Sequence, residues 1–248
     1  MKWKFLSADN VCDRQAWLCR KCIVPTLRAR SRAKDGAPDH LRLFKDRRVG
    51  HPSADLRKEL RSEAAWGGSD PKLDWHAAAE RGGNAVLAAN PKLLIMVESP
   101  KYSTDFTGFD KLPVVLKVKQ RVVYSPHAYN IDEHPFANYD ELKQAYDARA
   151  GFLMHSEPAI PLWVGEFGTC QTLDCGVNSD WFVMYIRYMK ENHLAWSYWP
   201  LNGTQSSGAG RKYDTVETYG LLSTDYQHFA APKIIDLLRT IEDQPAAK

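Results

Sequence analysis

Residues 160–169 read Ile-Pro-Leu-Trp-Val-Gly-Glu-Phe-Gly-Thr. Leu162, Trp163 and Val164 form a short apolar run behind a proline, the pattern of a buried parallel strand. Gly165, Glu166, Phe167 and Gly168 follow at once. A carboxylate at the end of such a strand reads either as a solvated Glu in a turn or as a reactive group at the rim of a sheet. Two neighbouring runs favour the second reading. Upstream lies Val122-Val123-Tyr124-Ser125-Pro126-His127-Ala128-Tyr129, and downstream Ala195-Trp196-Ser197-Tyr198-Trp199-Pro200-Leu201-Asn202-Gly203. Three strand-like runs, each ending in reactive or ring-bearing side chains, predict a parallel α/β barrel with its chemistry at the strand C-termini.

Working outward, the rhythm continues as strand, helix, strand, helix. The spacing predicts a helix from Asp74 to Asn90, capped by Asp74, with Trp75, Ala78, Ala79, Val86 and Ala89 on its inner face. Gly82 and Gly83 weaken its middle unless close packing needs them. Leu93 to Val97 is a continuous apolar run, hence a buried strand, with Glu98 at its end in a structural hydrogen bond. The loop from Pro100 to Lys119 carries Tyr102, Phe106 and Phe109, which read as wall aromatics of a cleft. Asn138 caps a helix built on Tyr139, Leu142, Ala145 and Tyr146. Ser179 caps another carrying Trp181, Phe182, Tyr185, Ile186 and Met189 as core, and Pro232 opens a last helix.

The 248 residues suffice for one sizeable core. A net charge of +3 is too small to argue for nucleic acid or an anionic membrane, and no apolar run reaches bilayer-spanning length. Met1-Lys2-Trp3-Lys4-Phe5-Leu6 begins like a basic leader but lacks the apolar core of a signal peptide. Eight tryptophans suit a sugar binder, although buried tryptophans are the commoner explanation. Cys12, Cys19 and Cys22 fall short of a four-ligand zinc site unless His40 or His51 helps. Arg28, Arg30, Arg32 and Lys34 read as a solvated basic surface. Cys170 and Cys175 share the loop after the Glu166 strand; a disulfide is expected in an oxidising compartment, and free thiols otherwise.

The runs around Glu166, His127 and Trp199, in this order, resemble the C-terminal half of glycoside hydrolase family 5, the cellulase-like retaining β-glycosidases. The resemblance makes Glu166 the nucleophile, His127 and Tyr129 the family's His-x-Tyr pair, and Trp199 its sugar-stacking tryptophan. Glu217-Thr218-Tyr219-Gly220-Leu221-Leu222 also matches. By position, Glu59 takes the role of general acid/base, ending a strand and followed by Ala64-Ala65-Trp66-Gly67-Gly68. Lys58 stands where the family has an asparagine that contacts the sugar, and Leu60 where it has a proline.

The resemblance implies a (β/α)8 TIM-barrel fold, apparently incomplete, from about residue 39 onward. Residues 1–38 form an unassigned N-terminal segment, and residues 39–248 a partial barrel domain holding the last five strand–helix units. It implies a β-linked oligo- or polysaccharide as substrate, an extracellular setting, and no cofactor or metal. Retention requires two carboxyl groups about 5 Å apart, one attacking and one protonating. Open barrel edges would favour self-association. Two rival readings remain: a non-catalytic carbohydrate-binding remnant, and an interaction protein that keeps only the scaffold.

Overall fold

The computed structural model describes residues 53–60, 63–206 and 210–242. The expectations for Cys12, Cys19, Cys22 and the basic 28–34 run lie outside them. The chain divides into two compact units, one running to Pro126 with Arg149–Leu162 added, the other comprising His127–Ala148 and Trp163 onward.

In the first unit, β1 (Ser53–Asp55), β2 (Leu94–Val97) and β3 (Val122–Tyr124) form a parallel sheet in chain order. Ala54 pairs with Ile95 and Val97 with Tyr124. The apolar run of β2 is buried because the sheet is covered by α1 (Trp75–Ala89). Asp74 caps α1 as expected, its side chain accepting from the Ala77 N–H at 3.1 Å. The buried stripe differs from the expected one: it follows Trp75, Ala79, Gly83 and Leu87, a four-residue repeat. Gly83 explains the glycine pair. A Cβ there would lie 2.9 Å from Leu116 Cδ2 and 3.3 Å from Ile95 Cγ2, so the helix approaches the sheet only through a residue without one.

Phe106 and Phe109, expected as cleft walls, are core residues at 0% and 1% exposure. They surround Tyr124, and Trp66 stacks on Phe109 at 3.5 Å between ring centroids. Burial pushes the Tyr124 hydroxyl up to about 12, even though it accepts the Val114 N–H. Of the three aromatics expected there, Tyr102 is the exposed one.

The expected strand from Val122 to Tyr129 is divided. Ser125 donates its N–H to Val97, but Pro126 has none to give, and the chain changes sheet there. In the second unit, β4 (His127–Ala128), β5 (Trp163–Phe167) and β6 (Ala195–Tyr198) form a parallel sheet in that order. Phe167 is fully buried and packs on Phe182, Tyr185, Trp196 and Tyr198. α2 (Tyr139–Arg149) has Asn138 at its start, accepting from the Glu141 N–H. It packs on α3 (Val177–Glu191) where the Trp181 indole donates to the Tyr146 hydroxyl at 2.8 Å. α3 begins two residues before Ser179; that hydroxyl instead accepts the Cys175 N–H from within the first turn. α4 (Pro232–Arg239) opens on its proline and buries Ile234 and Leu238.

Candidate active site

Glu166 lies in β5, one residue before its end. Opposite β6, Val164 pairs with Trp196 but Phe167 pairs with Tyr198, so β5 carries one extra residue at Gly165–Glu166. Such a bulge re-aims a side chain without ending the sheet, and it occurs beside active sites for that reason. Opposite β4 the pairing is regular, with His127 against Glu166 and Ala128 against Phe167. Register partners in parallel strands project to the same face. His127 Nδ1 therefore lies 3.6 Å from Glu166 Oε2.

Tyr129 completes this side of the site by donating its hydroxyl to the same oxygen at 3.1 Å. Glu166 is 5% exposed and His127 4%. A buried carboxylate is costly unless hydrogen-bonded, and a hydroxyl donor offsets that cost while orienting the group. The structure thus brings Glu166, His127 and Tyr129 together as the sequence predicts.

Gly168 has a separate cause. An added Cβ would sit 2.2 Å from the Trp199 carbonyl oxygen, so the end of β5 lies directly on the backbone after β6. The Trp199 N–H donates to the Phe167 carbonyl at 2.9 Å, which fixes the backbone beneath the ring. The ring itself is 38% exposed, open enough to stack on a ligand. Below it, the Tyr198 hydroxyl donates to the Thr169 and Tyr219 carbonyls, and burial raises its pKa. The loop between β5 and α3 is closed by a Cys170–Cys175 disulfide. Glu217, buried, pairs with Arg211, and Gly220 lies against the Asn202 carbonyl. The stretch matched after β6 is therefore packed structure.

Lys58 and Glu59 belong to the first unit, and there the expectation needs correction. The strand ends at Asp55, so Glu59 is not a strand-end residue. It lies four residues on, in left-handed backbone with φ +40. The pairing persists irregularly beyond β1: Leu56 donates to Met96, and Leu60 bridges to Pro100. Lys58 is half-buried beside it.

Two acids that sequence reasoning did not connect lie here. Glu98, fully buried, accepts the Glu59 N–H on Oε2 at 2.5 Å, and its backbone carbonyl accepts the Trp75 indole N–H at 2.7 Å. Burial, together with the Glu98 carboxyl that hydrogen-bonds it, holds Asp55 well above the usual carboxylate range. The available signal was Glu98 itself, a carboxylate directly behind an apolar strand.

No helix among the described residues is long and apolar enough to cross a membrane. The cellulase family, glycosyl hydrolase family 5, matches residues 54–205. An endoglucanase of Paenibacillus polymyxa is 33% identical over 213 residues, which are 77% of this chain and 51% of that protein. A glycosyl hydrolase 5 family protein of Chamaecyparis obtusa is 27% identical over 75% of this chain and 34% of its own length. Among solved structures, a hyperthermophilic endocellulase from the archaeon Pyrococcus horikoshii superposes with a TM-score of 0.63 at 25% identity, over 77% of this chain and 57% of that one. The chain spans about half the length of these proteins or less. With its parallel strands and intervening helices, it belongs to the cellulase family, glycosyl hydrolase family 5, a family of the TIM-barrel fold.

Proposed function

We propose that this chain carries the nucleophile side of an endo-β-1,4-glucanase site and acts on β-1,4-glucan by a retaining double displacement. The observation that carries the reading is Glu166, buried at a β-bulge with Tyr129 and His127 both directed at its Oε2. Glu166 attacks the anomeric carbon and forms a glycosyl ester while Glu59, as acid, protonates the departing oxygen. Glu59, then ionised, takes a proton from the water that attacks the same carbon and releases Glu166. Tyr129 and His127 hold the nucleophile in place, Trp199 stacks on a pyranose face, and Lys58 contacts the neighbouring sugar. The chemistry requires no metal or organic cofactor. The similarity to an endocellulase of Pyrococcus horikoshii determined with cellotetraose supports a β-1,4-linked substrate.

We assign residues 39–248 to one partial barrel domain carrying the later strand–helix units, with residues 1–38 outside it. An extracellular setting is supported by the Cys170–Cys175 bridge and by likeness to the major extracellular endoglucanase of Xanthomonas campestris. Among the described residues β1 pairs only with β2, and β6 only with β5. Such edges favour self-association, which light scattering of the purified chain reads directly.

Because Lys58 and Leu60 stand where the family has asparagine and proline beside the acid, turnover is expected to be low. The test is incubation with soluble β-glucan, assaying reducing ends and the ligand-induced thermal shift together. Turnover that vanishes in Glu166→Gln supports the enzyme reading. A thermal shift without turnover supports a binding remnant, and neither signal defeats both.

A further inference from the structure

We propose that Glu98 is a positioning residue for Glu59: its carboxyl anchors the backbone of the acid/base residue in a left-handed conformation by accepting the Glu59 N–H. The inference rests on the assignment of Glu59 as acid/base. Its physical content is separate, because it concerns how the Glu59 backbone is held.

A non-glycine residue in left-handed backbone is strained and persists only where its surroundings over-determine it. Around Glu59 they do. Leu60 bridges to Pro100, and the Tyr102 N–H donates to the Leu60 carbonyl at 3.1 Å. Lys101, Tyr102 and Ser103 are themselves left-handed, at φ 57, 61 and 59. The Ser103 hydroxyl ties that turn down, donating to the Ser125 carbonyl at 2.6 Å and accepting the Ser99 N–H at 3.1 Å. Glu98 stands between the two strained segments, two residues before Pro100, and its Oε2 accepts the Glu59 N–H.

A neutral side chain could have filled this corner. An acid beside a second acid is a particular choice with a particular consequence. Asp55 and Glu98 can hydrogen-bond one another only while they share a proton, because two carboxylates in contact repel. The proton keeps the pair at a single negative charge, and the remaining charge strengthens the bond from the Glu59 N–H. Lys58 and the Arg57 N–H act on Asp55 in the opposite sense, favouring ionisation. When the shared proton leaves, the two carboxylates separate and the Glu59 N–H senses the change.

The test follows the Glu59 backbone amide by NMR in the full chain between about pH 4 and pH 9. In the wild type its proton shift should step as the shared proton leaves, at a midpoint above the ordinary carboxylate range, and its exchange with water should be slow. Glu98→Leu should abolish the step and speed exchange by roughly tenfold or more. Glu98→Gln should restore protection without the step, since its amide oxygen accepts the same N–H, its amide N–H donates to Asp55, and it does not titrate. Glu59→Gln keeps the backbone N–H, so the step should survive there. Exchange in Glu98→Leu within twofold of wild type overturns the proposal, as does an unchanged step in Glu98→Gln or its loss in Glu59→Gln. Should Glu98→Leu fail to fold, the two glutamine variants decide. None of these readings uses turnover, so an inactive chain would defeat the catalytic assignment and leave this measurement intact.

Discussion

Glu166 and Glu59 are held by opposite means. Glu166 belongs to a regular strand with pairing partners on both sides, one bulge, and side-chain donors directed at its carboxylate. Glu59 lies past the end of its strand, in left-handed backbone, and what fixes it is a main-chain N–H bonded to another acid. In the first case the sheet sets position and side chains set orientation. In the second a strained turn sets both. The two arrangements differ in what each will tolerate.

The largest effect should separate the two acids in turnover. Glu166→Gln should remove nearly all activity the chain shows, on the order of 10⁶-fold, the scale seen when a nucleophile is lost. Its fold should survive, because the glutamine oxygen still accepts from Tyr129. Glu59→Gln should spare substrates with good leaving groups, which need little protonation. The measurement is kcat on an activated and an unactivated β-glucoside. An equal loss on both in Glu59→Gln would break the division of roles.

The next effect concerns packing. Phe167 and Phe109 are each buried in an aromatic cluster, one per unit. Either truncation to alanine should cost about 3–5 kcal/mol in urea unfolding. Gly168→Ala should cost about 1–3 kcal/mol, since its Cβ would overlap the Trp199 carbonyl. Ligand-induced thermal shift should fall in Gly168→Ala more than in Phe109→Ala, because the former displaces the backbone under the stacking ring.

What could be read in the sequence follows the same division. Strand-borne features were legible because alternation, apolar runs and a terminal carboxylate are local signals: β2, β5, β6, the Asp74 cap and the Glu166–His127–Tyr129 group are where the pattern put them. The bulge at Gly165 was not legible, since it is a mismatch between two strands and neither states it alone. Nor was the change of sheet at Pro126, because the sequence does not state which strand each half of the run pairs with. Phe106 and Phe109 misled for a different reason: a long loop suggests a surface, yet this one folds back over Tyr124. The position of Glu59 beyond Asp55 was hidden because left-handed backbone at a glutamate has no signature in residue type.

Asp55 makes the first unit sensitive to pH in a definite direction. Its folded pKa is raised, first by burial and then by Glu98, so the native state binds the proton more tightly than the unfolded chain. The associated stability is fully present below the unfolded pKa and is lost as pH rises through the folded one. Urea midpoints should therefore fall across that window in the wild type and flatten in Asp55→Asn, whose amide cannot titrate. A wild-type midpoint that rises with pH there would contradict the assigned direction.

The Cys170–Cys175 bridge closes a short loop, so by the loop-entropy relation it contributes about 2 kcal/mol. Cys170→Ser should lower the free energy of urea unfolding by that amount and leave Glu166 paired. Alkylation of unreduced wild-type protein, read by mass spectrometry, should label neither thiol of this peptide; two labels would refute the bridge.

The smallest effect has the opposite sign and tests the contrast most directly. If Glu59 holds strained backbone, removing its Cβ should relieve strain, whereas at Gly168 adding one creates a clash. Glu59→Ala and Glu59→Gly both delete the carboxylate, so their difference isolates the Cβ. Glycine reaches φ +40 freely but gives the unfolded chain more conformations to lose. These terms oppose one another, and where φ is positive the native-state relief exceeds the unfolded-state penalty. Glu59→Gly should thus be more stable than Glu59→Ala by about 0.5–1 kcal/mol in urea unfolding. A glycine variant less stable than the alanine one would mean that the turn carries no strain. Glu98 would then have nothing to oppose, and the two acids would be held alike.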